Sequence, residues 1–429
     1  MMTAEKLATN RALAALFGER RSFGAVDARA LAWEAFSSGG LPSRRSESWR
    51  YTDLRQVLSE LAPPCRESGT LRLVQDERLR VVVWSGEFGA EPESPAAAPE
   101  GVSVQSLREA LTQNDPEVMA ALAPTTKDPA VDLNVALMQD GVVIRIAPGA
   151  QIEKPIVLVT TLKGGVSTFT RNLVIVGEGA KATIAESASP LPAGAQENHA
   201  LVIKLRREAR VEHIADFSPG SVGSVRVYSL LVELGEMSSL NSTALIWGGG
   251  LIRRQIFARL SGARAAARFS GASLLKARDH ADTTLFVEHL APQGESREKF
   301  RTIVDGDATG IFQGKASVAR AAQKTDGAMQ SKALLLSDGA TMNNKPELEI
   351  FADDVACGHG ATCGRLEADQ LFYLMARGLP RREAEALLIE GFANEALTSV
   401  ECDALREELA GKIGTWLGAR EPASKRSAQ

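Results

Sequence analysis

Between about Val131 and Val355 the chain runs as short β-branched segments cut by glycine turns, with no long helical pattern between them. Val142-Val-Ile-Arg-Ile, Ile156-Val-Leu-Val, Asn172-Leu-Val-Ile-Val, Leu201-Val-Ile-Lys-Leu and Val225-Arg-Val-Tyr-Ser-Leu-Leu-Val are each the length of one strand. A soft repeat accompanies them. Gly149-Ala150 and Gly179-Ala180 lie thirty residues apart, and Gly262-Ala263, Gly271-Ala272, Gly339-Ala340 and Gly360-Ala361 recur later. Glycine supplies a tight turn, and a small alanine can point inward where chain layers stack. Two architectures accommodate such a run, a parallel β-helix and an ordinary sandwich or barrel. About 220 residues of continuous strands is large for one sandwich, which favours stacked coils.

The flanks read differently. Residues 1–130 are expected to be a helical region with a few strands. Leu13, Leu16 and Phe17 mark one apolar helix face, and Ala28-Arg-Ala-Leu-Ala-Trp-Glu-Ala-Phe marks another. Leu71-Arg-Leu-Val and Leu79-Arg-Val-Val-Val-Trp84 read as strands, and the Pro/Ala-rich stretch 90–101 as a loop. Residues 131–364 form the expected β core, from which Ser187-Ala-Ser-Pro-Leu-Pro-Ala-Gly-Ala-Gln-Glu-Asn198 should project as a loop. Residues 365–420 turn helical. Pro380 stands at a helix start, Ala384, Leu387, Leu388, Gly391 and Phe392 give one face, and Leu405, Leu409, Ile413, Trp416 and Leu417 give a second. Residues 421–429 are expected to be a disordered tail.

Composition excludes several classes. The 49 basic and 53 acidic residues nearly cancel, so no net field favours nucleic acid or an anionic membrane. The opening residues lack the apolar stretch of a signal peptide, and no run approaches the ~20 apolar residues of a membrane span. Four scattered cysteines fit a reducing compartment rather than a disulfide framework, and the expectation is a cytoplasmic protein.

Chemistry concentrates in one place. Cys357, His359 and Cys363 fall within seven residues, after a strand-like run and before the helical segment. Thiolate and imidazole suit iron and sulfur chemistry. On a strand Cys357 and His359 share one face, roughly 6.5 Å apart at Cα. Cys357-x-His359-x3-Cys363 does not match a self-contained zinc site, so a metal shell would need ligands from elsewhere. A buried cysteine beside a hydrogen-bonded histidine explains the same pattern without any ligand role.

Other motifs read more plainly. Gly310-Ile-Phe-Gln-Gly314-Lys315 has three residues between its glycines where a phosphate loop needs four, and a strand explains it better. His280-Ala-Asp282 and Glu288-His289 are expected to be satisfied polar residues on a β face, since no nucleophile accompanies them. Ser46-Glu-Ser-Trp49-Arg-Tyr51-Thr52-Asp53 reads as a packing junction rather than a nucleic-acid contact.

At these motifs the chain resembles the SufB/SufD scaffold family of iron–sulfur cluster assembly. The resemblance rests on Thr302-Ile-Val-Asp-Gly-Asp-Ala-Thr-Gly-Ile-Phe-Gln-Gly-Lys-Ala-Ser-Val, Gln323-Lys-Thr-Asp, Leu334-Leu-Leu-Ser and Lys345-Pro-Glu-Leu-Glu-Ile. It continues through Asp353-Asp-Val-Ala-Cys357-Gly-His359-Gly-Ala-Thr, Phe372-Tyr-Leu-Met-Ala-Arg-Gly378 and the run from Arg381 to Phe392, with Glu47-Ser-Trp49-Arg-Tyr51-Thr52 as its N-terminal anchor. With no cysteine between Cys65 and Cys357, the chain looks like the SufD side of the family, because SufB-like chains carry extra cysteines for incoming sulfur.

The resemblance implies a right-handed parallel β-helix between helical ends, acting as a scaffold and not an enzyme. It implies pairing with a SufB-like β-helix chain, binding of a SufC-like ATPase, and indirect supply from a cysteine desulfurase system. His359 and Cys357 match the positions that contribute to a transient iron or iron–sulfur cluster at the SufB interface. No role transfers to Cys363. The helices after Arg365 look like the ATPase-docking element, with Leu387, Leu388 and Phe392 as its anchors. A reduced flavin in the complex and a homodimer of the isolated chain are compatible with this, and no nucleotide is expected on this chain. Three rivals stand beside it: a SufB-like sulfur-accepting scaffold, a purely structural adaptor, and a β-helix carbohydrate-active enzyme. The last would need paired carboxylates on one face.

Overall fold

The computed structural model describes residues 4–65, 71–75, 78–85, 98–123, 126–162, 164–218 and 220–420. The expected C-terminal tail and most of the expected Pro/Ala-rich loop lie outside the described residues. Helices α1 (Ala4–Arg20), α2 (Val26–Gly39) and α3 (Leu54–Val57) come first. Strands β1 (Leu71–Gln75), β2 (Leu79–Ser85) and β3 (Val102–Ser106) follow, then α4 (Leu107–Thr112), α5 (Pro116–Ala121) and α6 (Pro129–Leu137). Asp115 and Asp128 start α5 and α6 by accepting from the first free N–H groups, each followed by a proline already set at the helical φ.

Sixteen strands then succeed one another. They are β4 (Val142–Ile146), β5 (Ile156–Leu162), β6 (Ser167–Val176), β7 (Lys181–Ala188), β8 (Gln196–Leu205), β9 (Arg210–Phe217), β10 (Val225–Leu234) and β11 (Ser239–Ile246). The series continues with β12 (Leu251–Leu260), β13 (Ala266–Leu275), β14 (His280–His289), β15 (Glu295–Val304), β16 (Thr309–Val318), β17 (Asp326–Leu335), β18 (Thr341–Ile350) and β19 (Ala356–Gly364). Helices α7 (Ala368–Ala376), α8 (Arg381–Asn394) and α9 (Asp403–Gly418) end the described chain.

Consecutive strands alternate between two sheets. One sheet runs β1-β2-β5-β7-β9-β11-β13-β15-β17-β19 and the other β18-β16-β14-β12-β10-β8-β6-β4-β3. Among the described strands β1 with β2 and β3 with β4 pair antiparallel, and every other pairing is parallel. A parallel partner always two strands away means that the chain coils, one strand per sheet per turn, into a parallel β-helix. Strands from the N-terminal region join both sheets and extend them at their first end.

The coil corners explain the soft repeat and correct part of it. Gly149, Gly179, Glu208, Met237, Arg264, Gln293 and Lys324 all take positive φ. Each donates its N–H to a carbonyl of the following coil, as in Glu208 to Glu236 (2.8 Å) and Arg264 to Pro292 (3.0 Å). Most of these residues are not glycine, so an inter-coil hydrogen bond compensates for a backbone region that costs L-residues roughly 1–2 kcal/mol. Gly271 and Gly360, expected at turns, instead lie inside β13 and β19.

The expected insert also shrinks. Ser187 and Ala188 finish β7, Gln196 begins β8, and only residues 189–195 connect them. That connection does not project, because Leu191 and Ala195 are buried with Leu162.

Apolar columns fill the coil interior, from Val142 and Ile144 through Leu201, Leu230 and Ile256 to Val287 and Phe312. A polar cluster interrupts them. The Glu186 carboxylate accepts from His199 (3.2 Å), His213 (3.1 Å) and the Tyr228 hydroxyl. Burial opposes its charge, yet the two histidines hold it well below the usual carboxylate range. Outside, α4–α6 cover one sheet through Leu107, Val118 and Val131 against Leu173, Val202 and Leu231. Helices α8 and α9 cover the other, with Ile389, Leu409, Ile413 and Trp416 against Ile214, Leu245, Leu274, Ile303 and Leu334.

Helix α9 buries the expected face. In α8 the buried residues are Ala384, Ile389 and Ala393, so the row is rotated from the expected one and Leu387 stays exposed.

The aromatic–basic junction near residue 49 is a strap across the coils. Trp49 is fully buried, its indole N–H donates to Asp128 Oδ2 (2.8 Å), and the Arg253 guanidinium lies 4.1 Å from its ring centre. Arg253 pairs with Asp282 and donates to the Ser48 carbonyl (2.6 Å), while Thr52 contacts both Asp282 and His280. Truncating Trp49→Ala should therefore cost about 3–5 kcal/mol, read as a lower urea midpoint. A loss under about 1 kcal/mol would show that the strap is peripheral to stability.

Candidate functional site: the open end of the β-helix

Among the described residues the last coil has no successor. Among the described strands β18 pairs only with β16, and β19 only with β17, so each leaves one backbone edge without a described partner. In β17 the inward residues Gly327, Met329, Ser331 and Ala333 are buried; their in-register partners in β19 are Cys357, His359, Ala361 and Cys363. All four therefore sit in the inward row, at a level where nothing further among the described residues covers them. Cys357 is half-buried, and His359 and Cys363 are exposed. Cys357 and His359 are two residues apart and adjacent in this row. Cys363 lies at its far end, about 20 Å from Cys357 along the strand.

The outward row of β19 is nearly bare. A Cβ added at Gly358, Gly360 or Gly364 would meet no atom within 4 Å. Among the described residues nothing uses that space.

Cys357 faces a polar interior. A Cβ added at Gly327 would come within 3.5 Å of both Cys357 Sγ and Ser296 Oγ, so the missing side chain leaves a gap between them. Ser296 in turn contacts His289 Nε2 at 3.1 Å. Burial pushes the Cys357 thiol up, although a Gly327 N–H bond works the other way, and nearby Asp326 and Glu298 add to the rise. Burial likewise pushes Glu298 up to about 7 and His289 down to about 4. Among the described residues Glu298 Oε1 and His289 Nδ1 have no hydrogen-bond partner. Among the described residues, no three His, Cys, Asp or Glu side chains converge to hold a metal. Alone, this edge presents an imidazole and a protonated thiol, an incomplete ligand set.

The remaining sequence candidates are dispersed. Leu387 is 51% exposed, Leu388 half-buried, and Phe392 half-buried with its ring 5.7 Å from the Arg301 guanidinium. Helix α7 buries none of its residues and exposes Phe372 (74%), Tyr373 and Met375. His280 and Asp282 belong to the strap, and Gly310–Lys315 form part of β16, so neither makes a catalytic cluster. Sequence reasoning did not single out Ser296, Glu298 or Arg301. Only the 29-residue coil spacing, visible in side-chain pairs such as Arg301–Gln330, brings them beside the site.

Comparison with known proteins agrees with this architecture. Residues 158–392 match the SufBD core domain of SUF-system FeS cluster assembly, and residues 76–158 match the SufBD N-terminal region. The core match alone spans more than half of the chain. This chain belongs to the SufB/SufD family. The iron–sulfur cluster assembly protein SufD of Escherichia coli is 29% identical over 89% of this chain and 91% of its own length. A SufBD-family iron–sulfur cluster assembly protein of Synechocystis is 29% identical over 90% and 89%. A chloroplastic protein of Arabidopsis thaliana is 27% identical over 87% and 82%. The chain is thus a SufD-like SufB/SufD protein of iron–sulfur cluster assembly, with a parallel β-helix between helical ends. No helix among its described residues is long and apolar enough to cross a membrane.

The buried carboxyl beneath the site has a measurable signature. With its folded value raised to about 7, Glu298 keeps a proton that the unfolded chain releases near the ordinary value of about 4.3. Stability should therefore fall as pH rises between those values, by about 3 kcal/mol from this group. Glu298→Gln should gain on wild type by that amount between pH 4.5 and 8 in urea unfolding. A wild-type-to-variant difference that is flat across pH would refute the raised value.

Proposed function

We propose that this SufB/SufD protein is the SufD-type scaffold subunit of a cytoplasmic iron–sulfur assembly complex, working as a scaffold rather than an enzyme. The carrying observation is the open final coil, which presents Cys357 and His359 in one row beside two unpaired strand edges. A SufB-like β-helix chain meets that end and completes the ligand set. The iron or nascent cluster held there is cargo. Iron binding requires the Cys357 proton to leave, and the metal's charge supplies the stabilisation that burial withholds from the thiolate.

A SufC-like ATPase docks on the exposed apolar side of α7 and on the α8 face that carries Leu387, with Leu388 and Phe392 beneath it. ATP-driven closure of the ATPase displaces these helices, shifts the paired β-helix ends and opens access to Cys357 and His359.

The test is anaerobic cluster reconstitution on the chain co-expressed with both partners, wild type beside His359→Ala, with visible absorption and iron and sulfide analysis. The variant complex should assemble with wild-type stoichiometry and hold markedly less cluster. Equal cluster content would reduce this chain to a structural adaptor, and failure to assemble would assign His359 to the interface itself.

A further inference from the structure

Helices α8 and α9 are tied to their sheet mainly over its earlier coils. Glu212 accepts from the Cys402 N–H (3.2 Å), Lys412 Nζ lies 2.6 Å from Asp216, and Asn241 donates to the Ser399 carbonyl. Two polar ties reach further: Arg420, just past α9, donates to Asp305 Oδ2 at 2.8 Å beyond the end of β15, and Arg301 bonds the end of α8. Arg301, on the outward side of β15, is 2% exposed. Its Nε and Nη2 donate to Glu395 Oε2 at 2.8 and 2.6 Å, at the end of α8. The same Nη2 donates to Gln330 Oε1 on β17 at 2.7 Å. Nη1 donates to the Phe300 carbonyl, and the Phe392 ring lies 5.7 Å from the guanidinium. One rigid fork thus joins the last turn of α8 to two strands. Gln330 is in register with Gly360, the residue after His359.

We propose that Arg301 is a positioning residue that relays displacement of α8 to β19 and so sets when Cys357 and His359 become accessible. Movement of Glu395 pulls the guanidinium, which is planar and bonded on both sides, so it transmits direction as well as force. Gln330 carries the shift into β17, and the backbone ladder carries it to β19. The outward glycine row gives β19 no side-chain packing of its own there, so the strand follows its neighbour. The inference rests on the ATP-driven opening proposed above and adds the route by which it reaches the site.

The experiment uses the assembled complex with the SufB-like chain and the ATPase. Cys357 is alkylated with iodoacetamide with and without ATP, and its labelling is read by peptide mass spectrometry. In wild type, ATP should raise the labelling rate by about fivefold or more, the lower end of ordinary site coupling. In Glu395→Ala, Gln330→Ala and Arg301→Lys that factor should fall to about one, with complex mass and ATP hydrolysis unchanged. Lysine keeps the charge but cannot bridge both partners. Glu395 and Gln330 are exposed enough that their variants remain informative if Arg301→Lys fails to fold. Variants that retain the wild-type factor overturn the relay and leave the opening intact. A wild type that does not respond to ATP overturns the opening, and the relay with it.

Discussion

The backbone ladder between successive coils is the constraint on which the rest depends. Every strand from β6 to β17 is satisfied by the strand two places before it and the strand two places after it. A row of side chains is therefore buried only if the next coil exists. Interior positions are buried and mostly apolar because a coil lies on either side. The last coil has only one neighbour, so residues in the inward register emerge into solvent without any change in backbone geometry. Cys357 and His359 owe their exposure to where the stack stops.

Electrostatics at that end follow from the same incompleteness. Cys357 faces a buried carboxyl and a serine from inside, and burial outweighs the opposing pull of the Gly327 N–H and the Arg297 charge, so its thiol stays protonated. A thiol held in this state is protected from adventitious metal and oxidant, and becomes a ligand when a charge arrives from beyond the chain. A closed metal site would have required ligands converging from several coils. An edge that offers two and leaves the others to a partner makes occupancy depend on assembly.

Much of the fold was legible because strand length and β-branched content are local properties. The Val142, Ile156, Asn172, Leu201 and Val225 runs all became strands. The corners were less legible. Glu208, Met237, Arg264, Gln293 and Lys324 are not turn-forming residues, and they take positive φ because an inter-coil hydrogen bond holds them there. The face of α8 was ambiguous for another reason. Leu387, Leu388 and Ile389 are consecutive, so a helical period can be phased through any of them, and packing on the sheet selected Ile389. At the site, the Cys357–His359 alternation needed only the strand period. Ser296, Glu298 and Arg301 became relevant through neighbours about thirty and sixty residues away, a distance that no local pattern reports.

The strap at residue 49 has a geometric meaning beyond its packing. Ser48 is bonded to Arg253 on β12 and Gln313 on β16, Thr52 touches β14, and Glu47 reaches Lys345 on β18 at 2.9 Å. The segment lies along the solenoid axis like a gauge, touching four successive coils. Adding or removing one whole coil between β12 and β18 would preserve every inward and outward register, yet shift the end by about 4.8 Å. The strap would then fall out of step with the coils it spans. It thereby selects a particular number of turns, a length that the coil repeat, indifferent to its own count, cannot measure.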